Sequence, residues 1–482
     1  MRKHIFFLAA AALALAPAAA QGPRYLNPQD VADAQKQHSA LVQEFGGAET
    51  GPRAAYVESV GRRVGAYSGV ANPGQALRFT TLNAAVPNAM SVPGGYVYVT
   101  RQLLTLMDDE SQLAFALGHE VGHIAANHAH VREQYERQNS WGVFGQIIGA
   151  IFGGSIGNMI EQRAALQTLS FSRDQEYQAD TLSLRYMIAA GYDPAGGPGS
   201  LGALARSSAL ESRLQGRTNR QTPEWASTHP LSENRMQRAL AEARASDRLG
   251  QGISNRDTFL NQLEGMFVDD DPAQGIIDGP TFTHPDLRVQ FQVPPGYLMQ
   301  NGTDAVTISG SAGKAQFRGG RFDGNLDSAV LLAFRQLTGD QVRLAIPPAQ
   351  HTTINGLPAA FSTARVQTDS GLVDASVFAY QWDAQRVYYF VMLTRGGYGM
   401  QPFGFMVNSL RKISPQEAAA IRPRIIHVET VRAGDTVQSL ADRMAYRDFK
   451  LDRFLSLNGL ATNSRLIPGQ RVKLVIYGQR RV

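Results

Sequence analysis

The sequence contains no cysteine among its 482 residues. This absence excludes a disulfide framework and a lipid anchor attached to cysteine. No run of eighteen or more apolar residues follows residue 20, which argues against an integral membrane protein. No basic block alternates with aromatic residues either, so the net charge of +5 predicts no nucleic-acid partner.

Residues 1–20 have the pattern of a secretory signal peptide. Arg2 and Lys3 precede an apolar run over residues 5–15, and three alanines end at residue 20. The alternative is an N-terminal membrane anchor, which is less favoured because the apolar run is too short to span a bilayer comfortably. We therefore expect a soluble periplasmic protein that is not a lipoprotein, with peripheral membrane contact left open.

The most informative motif is His119-Glu120-x-x-His123. On a helix, positions i and i+4 share one face, so both imidazoles can reach one metal ion while Glu120 projects beside them. Asp109 and Gln112 form a potential capping box, which predicts a helix from about residue 110 to residue 136. For an isolated pair of histidines, a polar helix face would be the simpler interpretation.

A second pair of residues strengthens the metal interpretation. Glu176 and Asp180 are again separated by four residues, so a second helix can present both carboxylates on one face. Two histidines and one glutamate leave a fourth tetrahedral position for water, as in catalytic zinc sites. We therefore predict one Zn²⁺ per chain held by His119, His123 and Glu176. Asp180 would orient a ligating imidazole, and Glu120 would act as the general base.

The expected fold class is multidomain α+β. A mainly helical domain with a small edge sheet, which holds the predicted metal site, is assigned to residues 21–268. A β-rich α+β domain of unknown role follows over residues 269–415, and a βααβ domain occupies residues 424–478. The glycine-rich segment 141–160 favours a buried helical hairpin over a lid or a membrane-touching segment.

The strand at Tyr96-Val97-Tyr98 follows a turn at Pro93-Gly94-Gly95 and directly precedes the predicted metal helix. An exposed edge strand there would grip an extended peptide by main-chain hydrogen bonds. An ordinary core hairpin explains the same spacing equally well.

Five ordered motifs resemble metallopeptidase family forty-eight. They are Asn83 with Pro93-Gly94-Gly95-Tyr96, His119-Glu120-x-x-His123, Glu176-x-x-Ala179-Asp180, Gly191-Tyr192-Asp193-Pro194, and Thr228-His229-Pro230 with Arg235. The resemblance implies that the domain over residues 21–268 is a gluzincin-like zinc metallopeptidase. It also implies that the Pro93 to Thr100 hairpin is the substrate-binding edge and that His229 and Arg235 lie near the zinc. His229 would stabilise the oxyanion or occupy the open zinc position as a plug. Arg235 would be a second candidate for the oxyanion.

The segment from Val431 to Ile476 resembles a LysM domain, a family that binds glycans containing N-acetylglucosamine, such as peptidoglycan. The similarity is carried by Gly434-Asp435-Thr436, Asn458-Gly459 and Pro468-Gly469. This resemblance implies that the C-terminal domain tethers the chain to peptidoglycan.

Together these features predict a periplasmic zinc metalloendopeptidase that cleaves unfolded or misassembled envelope polypeptides, in quality control or assembly. The alternative from another class is a LysM-anchored chaperone or scaffold with a plugged or weakly active protease site. A wall-cleaving hydrolase is disfavoured, because a strand-edge groove suits extended polypeptide better than cross-linked glycopeptide.

Overall fold

The computed structural model describes residues 23–129, 171–214, 233–338, 344–368 and 371–479. Three predicted features lie outside these ranges: the signal peptide of residues 1–20, the glycine-rich segment 141–160, and His229. Within the described ranges, no helix is both long enough and apolar enough to cross a membrane.

The N-terminal part is mainly helical, as predicted. Its helices are α1 (Pro28–Glu44), α2 (Pro52–Gly65), α3 (Pro73–Ala76), α4 (Arg101–Leu106), α5 (Glu110–Ala125), α6 (Arg173–Ala189), α7 (Gly196–Leu214), α8 (Glu233–Ala245) and α9 (Arg256–Leu263). Its strands are β1 (Arg78–Leu82), β2 (Ala89–Val92), β3 (Tyr96–Thr100) and β4 (Phe267–Val268). Helix α5 is packed between α2, α6 and α7, which places the His-Glu-x-x-His motif in the interior.

The first sheet corrects the predicted substrate edge. Its strand order is β1-β3-β2, with β1 parallel to β3 and β2 antiparallel to it. The predicted edge strand Tyr96-Val97-Tyr98 is therefore the central strand, hydrogen-bonded on both sides and buried along its whole length. Pro93, Gly94 and Gly95 form the turn that leads into it. The edge next to α5 is β2. The prediction was wrong because a strand's composition does not reveal how many neighbours pair with it.

Helix α5 begins as predicted and ends earlier. The Asp109 carboxylate accepts a hydrogen bond from the backbone N–H of Gln112 at 3.0 Å, which caps the first turn. The Gln112 side chain accepts from the N–H of Asp108 instead of Asp109, so the predicted capping box is only half formed. The helix ends at Ala125, eleven residues before the predicted end, because Asn127 adopts a left-handed φ of 56°.

The middle part is β-rich, as predicted. Its elements are β5 (Ile276–Asp278), β6 (Thr281–His284), β7 (Val289–Gln292), β8 (Leu298–Asn301), β9 (Ala305–Gly310), β10 (Gly313–Arg321), α10 (Leu326–Thr338), β11 (Gln350–Ile354), β12 (Leu357–Thr368), β13 (Gly371–Gln381), β14 (Arg386–Arg395), α11 (Gly404–Ser409) and β15 (Arg411–Lys412). A seven-stranded sheet has the order β11-β12-β13-β14-β10-β9-β8, and a four-stranded sheet has the order β15-β7-β6-β5. A short helix, α12 (Pro415–Ala420), connects this part to the C-terminal one.

The C-terminal part has the predicted β-α-α-β order. Its elements are β16 (Arg424–Thr430), α13 (Val437–Ala441), α14 (Lys450–Asn458) and β17 (Arg471–Tyr477). Strand β16 pairs with β17 on one side and with β4 of the N-terminal part on the other. Helix α14 packs against α4 and α7. The C-terminal part is therefore joined to the helical part by both a shared sheet and helix packing.

Candidate metal centre

The three predicted metal ligands meet in the structure. His119 and His123 lie one turn apart on α5, and Glu176 faces them from α6. The two Nε2 atoms are 3.0 Å apart, and each lies 3.5 Å from a carboxylate oxygen of Glu176. One ligand atom from each residue falls within 4.8 Å of the others, and all three residues are buried. Two imidazoles and one carboxylate that converge in this way fit a zinc ion with an open fourth position.

Asp180 and Arg235 surround these ligands. Asp180 Oδ1 lies 2.9 Å from His119 Nδ1, on the side of the ring opposite the metal-facing Nε2. The Arg235 guanidinium donates two hydrogen bonds of 2.8 Å to the Asp180 carboxylate. Its Nη1 also lies 2.6 Å from Oε2 of Glu176. The structure thus places Arg235 beside the metal site, with its guanidinium bound to two carboxylates.

This charge arrangement favours a cation at the ligand cluster. Burial lowers the pKa of His119, but the carboxylates of Asp180 and Glu176 outweigh burial and raise that pKa to about 10. Burial raises the pKa of the Asp180 carboxyl, and Arg235 and His119 outweigh it, so the pKa lies below its ordinary value. Because a ligating imidazole must be neutral, a metal ion held here would displace the His119 proton.

Glu120 lies beside the metal ligands and is buried. Its Oε2 accepts a hydrogen bond of 2.9 Å from the Ser91 hydroxyl. Ser91 belongs to the edge strand β2, so this bond links the candidate general base to the strand that borders the site. Sequence reasoning missed Ser91, because no motif connects it to Glu120.

Two cavities border the site. The smaller one, about 50 Å³, is lined by His119, Glu120, Arg235 and a set of mostly apolar residues: Ala89, Leu103, Phe115, Ala116, Leu201 and Leu204. The larger one, about 640 Å³, is lined by His123, by Ser91 and Val92 of β2, and by residues 24–27. Strand β2 contributes residues to both cavities.

His128 and Gln178 were also missed in the sequence. His128 Nδ1 lies 2.9 Å from Nδ1 of His123, and its Nε2 lies 3.0 Å from Oε1 of Gln178. A third histidine shortly after the motif was the available signal. Its contact with His123 depends on the turn that ends α5, which the predicted longer helix did not include.

Two regions of the chain match known protein families. Residues 52–243 match the model of Peptidase family M48, and residues 430–475 match the model of the LysM domain. The beta-barrel assembly-enhancing protease of Escherichia coli (strain K12) is 30% identical over 200 residues, which are 39% of this chain and 38% of that protein.

Two mitochondrial proteins are also similar. The mitochondrial metalloendopeptidase OMA1 of Schizosaccharomyces pombe is 28% identical over 208 residues, covering 42% of this chain and 58% of that protein. The OMA1 protein of Arabidopsis thaliana is 32% identical over 114 residues, covering 23% of this chain and 22% of its own length. Each similarity therefore spans less than two thirds of the relative. On the matched ranges and the geometry above, residues 52–243 form a peptidase family M48 domain, and residues 430–475 form a LysM domain.

Proposed function

We propose that this chain is a zinc-dependent metalloendopeptidase. The observation that carries the proposal is the buried convergence of His119, His123 and Glu176, with Glu120 directly beside them. Zinc held by these ligands would supply Lewis-acid polarisation of the scissile carbonyl and of the attacking water. Glu120 accepts a proton from the attacking water and delivers it to the leaving amine. Ser91 holds the Glu120 carboxylate through its hydroxyl.

The substrate is an extended polypeptide that lies along β2. This strand is an edge of its sheet and contacts α5, so the main-chain groups that pair with no other strand of the described ranges can bond to a peptide. Main-chain pairing gives affinity with little sequence preference. The small cavity beside Glu120 would then receive one apolar side chain of the substrate.

The LysM domain supports a place of action at peptidoglycan, in the periplasm. The motif residues Gly434, Thr436, Pro468 and Gly469 are exposed on the folded chain. They are available to a glycan even though other faces of the domain are packed against the helical part. The name of the Escherichia coli relative, which refers to β-barrel assembly, suggests envelope proteins as substrates. We include misassembled envelope polypeptides in the proposal on that basis.

The test combines zinc content with cleavage of an unfolded protein such as casein. We expect the purified chain to hold one zinc and to cleave. Glu120→Gln should retain the zinc and lose about 10²–10⁴-fold in turnover, the usual contribution of a general acid–base group. Glu58→Gln, at a carboxylate on α2 whose side chain is 41% exposed, is the matched control and should cleave like the unmodified chain.

Full activity in Glu120→Gln would refute the assigned general base. A chain that binds zinc but does not cleave would favour the chaperone or scaffold alternative. His229→Ala tests the proposed plug, since removal of a plug should raise the rate.

A further inference from the structure

A chain of hydrogen bonds leads away from His123 on the side opposite the metal-facing nitrogen. His128, only 2% exposed, places its Nδ1 2.9 Å from Nδ1 of His123. Its other nitrogen, Nε2, lies 3.0 Å from the Gln178 side-chain oxygen. Gln178 belongs to α6, the helix that carries Glu176 and Asp180. The zinc-ligand helices are therefore linked by a second, independent polar connection.

The protons in this series of hydrogen bonds, from His123 through His128 to Gln178, can be assigned by elimination. Nε2 of His123 faces the other ligands, so it must be unprotonated when it binds a metal. A neutral imidazole carries one proton, which then resides on Nδ1 of His123 and is donated to His128. Nδ1 of His128 accepts it, so the His128 proton lies on Nε2 and points at Oε1 of Gln178. Each nitrogen and the amide oxygen thus has a matching partner.

The surroundings hold both rings in place. Phe171 stacks on the His123 ring, with centroids 3.8 Å apart and planes 23° from parallel. The Gln175 amide donates a hydrogen bond to the backbone carbonyl of His128. Rotation of the His128 ring would separate its nitrogens from both partners at once.

The two histidine ligands thus differ in their outer partners. His119 faces the Asp180 carboxylate, which is itself bound by Arg235, whereas His123 faces a neutral imidazole backed by a neutral amide. We propose that His128 and Gln178 are positioning residues that fix His123 in the tautomer with a free Nε2 and so raise the affinity for zinc. The proposal rests on the proposed function only in taking zinc as the metal.

The test measures the zinc dissociation constant by chelator competition, with the full chain. His128→Ala should weaken zinc binding about 10–100-fold, the usual effect of losing an outer partner of a ligand. His128→Asn should restore most of the zinc affinity. Oδ1 of Asn is bonded to Cγ, as Nδ1 of His is, and can accept the same hydrogen bond from His123. Gln178→Glu should bind zinc more tightly than the unmodified chain, because a carboxylate is a stronger acceptor for His128 Nε2–H.

The double variant His128→Ala/Gln178→Glu is the control for simple charge. If the added carboxylate acts through His128, the increase in zinc affinity that it causes should vanish when His128 is replaced by Ala. Equal dissociation constants for all variants, or a gain that persists without His128, would overturn the proposal. If His128→Ala fails to fold, Gln178→Leu against Gln178→Glu decides the question, with weaker and tighter binding expected. Because the readout is metal affinity, a chain that binds zinc without cleaving still gives a decision, separate from the peptidase proposal.

Discussion

The LysM domain and the middle domain join the peptidase domain in different ways. One hydrophobic cluster runs from the peptidase helices through α9 and β4 into the LysM domain. Among the described residues, that cluster contains none between Val268 and Ile426. The two clusters of the middle domain consist of residues from Ile277 to Leu410. The domain that is distant in sequence shares the peptidase core, and the domain that is adjacent in sequence has cores of its own.

A buried lysine marks the LysM boundary. Lys473 of β17 is fully buried, and its Nζ donates to the carbonyls of Thr105 and Met107. It also lies 3.1 Å from the carboxylate of Asp108, next to the residue that caps the metal helix. Burial lowers the pKa of Lys473, and Asp108 opposes that shift. A charged group without solvent needs such partners, so this contact depends on the two domains remaining together.

The middle-domain boundary is polar instead. Asn83 donates to Asp271, the Gln274 amide donates to the Gly46 carbonyl, and Arg424 pairs with Asp278. Such contacts at a partly hydrated surface contribute little individually. The character of each boundary, apolar or polar, therefore decides which domain can be removed without unfolding the rest.

Removal of either domain should show the largest difference between the two boundaries. Deletion of residues 424–482 strips β16 from β4 and exposes the peptidase side of the shared core, so we expect an insoluble or unfolded chain. Replacement of residues 281–412 by a flexible Gly/Ser linker should leave a chain that folds cooperatively and binds zinc. Soluble yield, circular dichroism and zinc content measure both outcomes. A well-folded chain without the LysM domain would contradict the idea of a shared core.

Lys473→Met tests the same boundary with one side chain. The variant removes the donor of the two carbonyls and one cation beside Asp108, whose carboxylate still pairs with Arg206 and Arg256. We therefore expect a loss of about 1–3 kcal/mol in the free energy of unfolding, the usual cost of buried polar groups left without a partner. Lys412→Met is the matched control in the middle domain, where the lysine is exposed and donates to the Trp382 carbonyl. That change should cost less than about 1 kcal/mol. Urea unfolding measures both, and a loss for Lys473→Met no larger than that for Lys412→Met would show that the buried contact does not stabilise the LysM boundary.

The stability of the folded chain should depend on pH through Asp270, which lies at the polar boundary. Burial and the neighbouring Asp269 raise the pKa of Asp270 to about 6, against the opposing effects of Ile277 N–H and Arg101. The folded state then holds this proton more tightly than the unfolded chain, so stability falls as pH rises from about 4 to about 6. Asp270→Asn should remove that slope and stabilise the chain at pH 7 by on the order of 2 kcal/mol.

The control for this prediction is Asp257→Asn, whose side chain is 75% exposed. It should leave the dependence of the melting temperature on pH unchanged. An Asp270→Asn variant with the same pH profile as the unmodified chain would show that the carboxyl is not perturbed in this way.

The sequence determined what depends on neighbours within one or two helical turns. The spacing of four residues placed His119 with His123, and Glu176 with Asp180, on single helix faces. Asp109 was recognised as a cap because its partner is three residues away. The βααβ order of the LysM domain followed from local patterns of the same kind.

Only the tertiary structure decided the contacts between distant segments. Local composition made the strand at Tyr96 an equally good edge or centre, and pairing with both β1 and β2 made it the centre. The contact of Lys473 with Thr105 joins residues 368 positions apart, and that of His128 with Gln178 joins residues 50 apart. Such pairs form because packing brings their elements together, and local backbone preferences contain no information about which distant element will arrive.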